Sequence, residues 1–317
     1  VLIFILRRVL LMIPILLGVT LVTFIIVRSI PGDPVQVLLG ADRRSTPEQI
    51  EAIRRSYGLD QSLPVQYVKW LGHVVQGDLG QSLRTRRPLT QELQLRLPVT
   101  LQLTLFAGIL ATVPALLVGV LAALKRNSGI DYLATIVTLI GVSVPNFLLA
   151  TLLVLLFSFR LKILPPIGYQ TFGDDPVQNL RTMILPATSL ALPLAAVLMR
   201  ITRSSVLEAM SQDHVRTARA KGLSQSRVLL RHVLPNAGIP ILTVAGIQVA
   251  NLLGGAVIVE QIFGLPGVGR YVYEAIANRD YPVVQSVTLV LAFLFVLVSL
   301  VVDVFYAVLD PRLRHPR

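Results

Sequence analysis

The sequence predicts an all-α membrane protein with six transmembrane helices. Of its 317 residues, 54% are hydrophobic and only 15% charged, with a mean hydropathy of +0.70; a soluble domain carries nearer to about 25% charged residues. Six charge-free stretches, 9–27, 97–124, 132–159, 182–199, 233–259 and 281–302, are long enough to cross a bilayer, which takes about 20 apolar residues as a helix. They are continuous apolar runs, not the alternating segments of a barrel strand, and in lipid such a run satisfies its backbone as a helix.

The first segment, 1–29, places a span behind Arg7 and Arg8. Its apolar part is too long for a signal peptide core and no small-residue cleavage site follows, so it is expected to remain as an anchor. Segment 30–96 follows as an extracytoplasmic insertion, opened by the turn Pro31-Gly32-Asp33-Pro34. Thr46-Pro47-Glu48 predicts a helix toward Tyr57 with Gly58 as its stop, and a second helix is expected from Pro64 to Val75, carrying Trp70 and ending near Gly77. This segment serves either as a cap over the bundle or as a gate or docking surface.

The core, 97–317, begins with span two, 97–124, and span three, 132–159. Pro114 and Pro145 each remove a backbone donor, and each is expected to bend its helix. Span four, 182–199, holds Pro186 and Pro193. A buried amide or carboxylate in lipid is costly unless it pairs or faces water, which singles out Asn146, Gln248, Asn251 and Glu260 as candidate pathway residues. Gln248 and Asn251 stand three apart on one helix face. The competing reading is that such amides hold helices together. Asp303 is expected to pair with an arginine at the inner end of the bundle.

Between spans four and five lies a basic loop, 204–236, whose stretch DHVRTARAKGLSQSRVLLRHVLPN runs from Asp213 to Asn236. It reads as two short helices. Asp213 is expected to cap the first, Gly222 supplies a left-handed end, and Ser224 caps a second that ends before Pro235. Read alone, such a loop either fixes topology or presents a surface. Span five, 237–259, leads to Gly264, Pro266, Gly267 and Gly269, a tight turn before a short helix starting near Arg270. Dense glycines can cradle phosphate, but no strand precedes these. Span six, 281–302, and a tail stopped at Asp310-Pro311-Arg312 complete the chain.

The formal net charge of +12 does not argue for nucleic acid, because basic residues crowd the cytoplasmic ends of spans. Arg7, Arg8, Lys125, Arg126, Arg200, Arg203 and the basic residues of the loop and tail fall on one side, against Arg160, Lys162, Arg181, Arg270 and Arg279 on the other. Both termini are therefore expected to be cytoplasmic. With no cysteine there is no disulfide or thiolate, and His73, His214, His232 and His315 form no pair at metal-ligand spacing. There is no phosphate-binding loop and no serine–histidine pair at membrane depth. No catalytic, cofactor or metal site is expected in this chain.

The basic loop resembles the EAA loop of binding-protein-dependent ABC importers, whose form is E-A-A, three residues, G, nine residues and I-x-L-P. Ala218, Gly222, Leu234 and Pro235 match that register, while Arg216, Thr217 and His232 replace its glutamate, first alanine and isoleucine. Glu208 lies out of register, so no glutamate contact carries over. The departure resembles the dipeptide, oligopeptide and nickel permease branch, typified by D-x-V-R-T-A-R-A-K-G-L-S and R-H-x-L-x-N-x-x-x-P; Asp213, Val215 to Ser224, Arg231, His232, Asn236 and Pro240 fit it. Further landmarks of that branch run the length of the chain: Leu6-Arg7-Arg8, Pro31 to Pro34, Gly77 to Ser82, Arg96-Leu97-Pro98 with Thr100, Val144 to Phe147, Pro266-Gly267 with Gly269, Arg279 to Pro282, and Leu309 to Arg312.

The resemblance implies a bacterial or archaeal cytoplasmic-membrane permease subunit. It would share an alternating-access pathway with a second, similar permease subunit, with two ATPase subunits that bind ATP and Mg and an extracytoplasmic binding protein that delivers a peptide. It also implies an ATPase-coupling loop made of Asp213, Arg216, Thr217, Ala218, Arg219, Ala220, Lys221, Gly222, Leu223, Ser224, Leu234 and Pro235. A nickel or other solute importer is the alternative, followed by an ATP-independent channel or secondary transporter. The latter class favours ionisable residues at mid-membrane, whereas here the spans hold amides and the acids sit near their ends.

Overall fold

The computed structural model describes residues 2–29, 48, 51, 54, 55 and 60–309. In chain order its helices are α1 (Leu2–Ser29), α2 (Leu63–Val75), α3 (Leu89–Leu124), α4 (Gly129–Ser143), α5 (Asn146–Leu153), α6 (Pro176–Ser211), α7 (Asp213–Ala220), α8 (Gln225–Val228), α9 (Leu234–Phe263), α10 (Val268–Ala277) and α11 (Tyr281–Leu309). Wide π-helical turns extend α5 over Val154–Arg160 and join α8 to α9 over Leu229–Val233. Among the described residues the only extended pairing is an antiparallel bridge between Gln81 and Pro88. The helix expected from Thr46 to Tyr57 lies largely outside the described residues, and the Asp310-Pro311-Arg312 tail wholly so.

Among the described residues five helices are long and apolar enough to cross a bilayer: α1, α3, α6, the run Gln225–Phe263 and α11. The bent pair α4 and α5 supplies the sixth apolar segment. Helix bounds exceed the charge-free stretches nearly everywhere, because a charged side chain ends an apolar run without ending a helix. Thus α3 starts at Leu89, and α6 runs 36 residues from Pro176 instead of 182–199. Asp175 caps α6, its carboxylate accepting the Gln178 N–H at 3.0 Å.

Two boundaries need correction. The loop expected over 204–236 shrinks to Gln212–Ser224, since 204–211 is the last part of α6 and 225–236 already belongs to the run toward span five. The second loop helix also does not end before Pro235. The π turn at Leu229–Val233 widens the helix where the proline lacks a donor and its ring would press on the preceding turn, and the helix continues. Asp213, expected as a cap, is instead the first residue inside α7, with Gln212 at the cap position.

The prolines divide. Pro114 passes inside α3 without a break, as do Pro186 and Pro193 inside α6. At Pro145 the chain turns sharply, with α4 and α5 meeting at 107°.

The most buried span is α6, packed between α3, α4 and α9. Toward one end of the bundle Leu103, Met183, Leu190, Val259 and Phe263 form a core; toward the other Leu198, Val206, Val215, Val228 and Val233 form a second that reaches α7. Small residues permit the close crossings. A Cβ on Gly119 would lie 2.7 Å from Thr202, and one on Gly141 2.7 Å from Ala196. Polar pins reinforce the α7 end, where buried Asp131 accepts from Arg203 Nη2 at 2.8 Å and from the Asn127 N–H at 2.9 Å. As expected, Asp303 pairs with an arginine, Arg8, at 3.0 Å.

Candidate functional site

The short helix α7 follows from its own sequence. Asp213 in its first turn and Arg219 in its last complement the helix dipole. Val215 and Ala218, three apart, are fully or almost fully buried against the α6 and α8 core, while Arg216, Thr217, Arg219, Ala220 and Lys221 stay exposed. The Asp213–Arg216 ion pair, at 3.7 Å between exposed side chains, adds little. Gly222 ends the helix in the left-handed region with φ +75°, donating its N–H to Arg219 O at 2.9 Å. Leu223 folds back onto the core, and exposed Ser224 occupies the cap position of α8.

A second tie holds α7 to the π turn. Asn236 Nδ2 donates to His232 O at 2.8 Å, and His214 Nε2 lies 3.2 Å from the same oxygen. That carbonyl sits beside the proline gap, where Leu234 packs inward and Pro235 faces out. The result is an exposed basic face on α7, tied by these contacts to the foot of the 39-residue helical run Gln225–Phe263.

Halfway along α9, Gln248 and Asn251 share a face, their amides 3.4 Å apart. Asn251 is exposed and Gln248 half-buried, with exposed Ile247 and Ile258 on the same helix, so among the described residues this face is left largely open. Asn146, at the start of α5, reaches the same helix: its Nδ2 would lie 3.4 Å from a Cβ on Gly255, one turn from Asn251. The break at Pro145 is what brings Asn146 there.

Glu260 does not join them. It is completely buried, accepting from Thr100 Oγ1 at 2.6 Å and from the Arg270 N–H at 2.9 Å, while Thr100 Oγ1 accepts the Val268 N–H at 2.9 Å. The carboxylate is thus spent on the first turn of α10, where free N–H groups favour an anion. Gly267 admits it: a Cβ there would lie 2.2 Å from the Glu260 carboxyl carbon. The glycine-rich turn does take up an acidic group, but one supplied by the chain itself, the Glu260 carboxyl.

Sequence reasoning missed a matching clasp at the other end of α10. Asp280 is buried and accepts from Ser82 Oγ and from the Leu83 N–H at 3.1 Å. Between the clasps, Arg96 lies over the Tyr271 ring at 4.4 Å. Burial, with the Glu92 and Asp280 carboxylates nearby, pushes the Tyr271 phenol up to about 12, so it stays neutral under physiological conditions. Thr100, Ser82 and Asp280 enter the sequence reading only as landmarks of a resemblance; the structure places Thr100, with Gly267, against Glu260, and Ser82 against Asp280. Among the described residues, no group of three or more His, Asp or Glu side chains comes together to hold a metal ion.

Residues 115–315 match the family model described as "Binding-protein-dependent transport system inner membrane component", and residues 1–104 match the model of an N-terminal part of such components. The chain belongs to this family. Both the α7 surface and the Gln248–Asn251 face of this inner membrane component lie within the first match. It is similar to the "Di/tripeptide transport system permease protein DppB" of Pseudomonas aeruginosa, 45% identical over 99% of each chain. It is also similar to the "Dipeptide transport system permease protein DppB" of Alkalihalophilus pseudofirmus, 42% identical over 98% of each. The "Oligopeptide transport system permease protein AppB" of Bacillus subtilis is 40% identical over 98% of this chain and 99% of its own. Among solved structures, a chain of the MetNI methionine ABC transporter in inward-facing conformations superposes with a TM-score of 0.57 at 20% identity, covering 69% of this chain and 96% of that one. That likeness carries the fold alone.

Proposed function

We propose that this chain is a permease subunit of an ATP-driven importer of short peptides. It forms half of a pathway completed by a second, similar permease subunit. Two ATPase subunits, which bind ATP and Mg, energise it, and an extracytoplasmic binding protein supplies the cargo. The names of the relatives support the peptide as cargo. The observation that carries the coupling is α7, whose basic face is exposed while Val215 and Ala218 lock it to the bundle.

The α7 end is the cytoplasmic one in this reading, as the distribution of basic residues favours. When the ATPase pair closes, α7 moves with it. The tie through His214, His232 and Asn236 passes that movement to a helical run about 58 Å long. Gln248 and Asn251 ride on the same run, so a tilt at its foot shifts the amide face and opens the pathway outward. Hydrolysis reverses the tilt.

The test is uptake of labelled di- and tripeptides by cells lacking this chain, with and without its return, together with purification of its complex. Restored peptide uptake and co-isolated ATPase subunits support the reading. Restored nickel uptake alone makes the cargo a metal, and conductance by the isolated chain makes it a channel.

A further inference from the structure

The connection from α2 to α3 ends in a tight hairpin that displays three arginines. A bridge between Gln81 and Pro88 closes it. Inside, the Ser82 N–H donates to Arg87 O at 3.1 Å, the Arg86 N–H to Ser82 O at 3.0 Å, and the Thr85 N–H to Ser82 Oγ at 3.0 Å. The buried Asp280 carboxylate holds it from beneath through the N–H groups of Leu83 and Arg84. None of these bonds uses an arginine side chain.

Arg84 and Arg86 are exposed, and so is Arg279, the neighbour of Asp280. Among the described residues none of these three makes an ion pair. Arg87 touches Glu92 at 3.3 Å yet keeps 72% of its side chain in solvent. The nearby carboxylates are already engaged: Glu92 is shared with Arg96, Asp280 with the hairpin, and Glu274 with Arg270.

The backbone adds a second, independent observation. Arg86 has φ 57° and Arg279 has φ 56°, a left-handed conformation that favours glycine and strains other residues. Arg279 follows the last turn of α10, where glycine is the usual occupant. A charged side chain thus stands twice, at Arg86 and Arg279, where a bare glycine backbone would be easier.

We propose that Arg84, Arg86, Arg87 and Arg279 form a docking surface for an acidic patch on the extracytoplasmic binding protein. This rests on the importer reading above. A planar guanidinium pairs bidentately with a carboxylate, and a fixed array of them steers an acidic partner and sets its register. A protein fits better than a lipid surface on two counts. The anionic surface potential of a membrane belongs mainly to its cytoplasmic leaflet. One member of the cluster, Arg87, also lines a cleft of about 900 Å³ together with Glu92, Gln102, Tyr169 and Phe172, a concavity suited to a projecting loop and not to a flat sheet of headgroups.

The test uses the complete importer in nanodiscs of zwitterionic lipid, with its purified binding protein added at rising salt. For the wild type, the association rate should fall steeply with salt. The R84E/R86E variant should associate at least ~10-fold more slowly, with a flattened salt dependence and an unaltered melting temperature. Arg86→Gly and Arg279→Gly relieve the backbone, so they should melt no lower than the wild type and still associate more slowly, while Arg86→Lys restores most of the rate. Wild-type association by R84E/R86E overturns the docking surface and leaves the importer standing. A loss seen only in anionic nanodiscs overturns it in favour of lipid. A wild-type complex that engages no binding protein overturns the importer reading, and this surface with it.

Discussion

Two glycines show how differently one residue type acts. An added Cβ at Gly222 would meet nothing within 4 Å, so only its φ of +75° resists substitution. Gly222→Val should strain the turn by about 1–2 kcal/mol and tilt α7 away from its seat. Peptide uptake should be lost with membrane insertion intact, whereas Gly222→Asn, which tolerates that conformation, should keep most of it. Full uptake and coupled ATPase activity in the valine variant would contradict this. At Gly267 the obstacle is contact. Gly267→Ala should push the Glu260 carboxylate off its donors, leaving buried N–H groups unpaired at about 1–3 kcal/mol. A lower melting temperature in detergent would register it, and Thr100→Val should act in the same direction. The two sites were not equally legible. A left-handed helix end announces itself within a few residues, so Gly222 could be read locally. Glu260 looked like a wet acid at the mouth of a span because one partner, Thr100, lies 160 residues away.

At the scale of elements, prolines were the least readable signal. Pro145 breaks its helix because Val144 before it is extended, with φ −91° and ψ 120°, the conformation a following proline favours. Pro114 does not, because Ala111 and Ala115 on either side of it are fully buried in packed cores that hold α3 together. Pro235 was expected to stop a helix and instead sits just past a π turn that carries the helix through. No local rule foresees that repair, which depends on His232 O finding side-chain donors in Asn236 and, when its Nε2 is protonated, His214. Pro235→Ala should let the turn tighten to regular α-helix, rotating α8 relative to α9 and spoiling the tie to α7. The expected result is ATPase activity that no longer responds to cargo, with protein level unchanged. Normal coupling in this variant would show that the π turn is incidental.

For the whole molecule, hydropathy located every apolar segment, and counting basic residues supplied an orientation; what it could not supply was which faces the segments leave open, because that depends on how α6 gathers its neighbours. The open face of α9 makes the last prediction. The chain has no cysteine, so single replacements report cleanly. In the assembled importer Asn251→Cys should react with a membrane-impermeant maleimide and be protected by transported peptide, while Ala256→Cys, at a fully buried position on the same helix, should remain unreactive. The comparison separates a pathway from a lipid-facing or subunit-sealed surface. An amide pair that only held two subunits together would be shielded at all times, and its labelling would not depend on cargo. Protection that tracks the peptide and disappears when the ATPase is arrested would place Gln248 and Asn251 on a face whose exposure the ATPase controls. That is the behaviour expected if α7, at the foot of the same helical run, is where the driving motion enters.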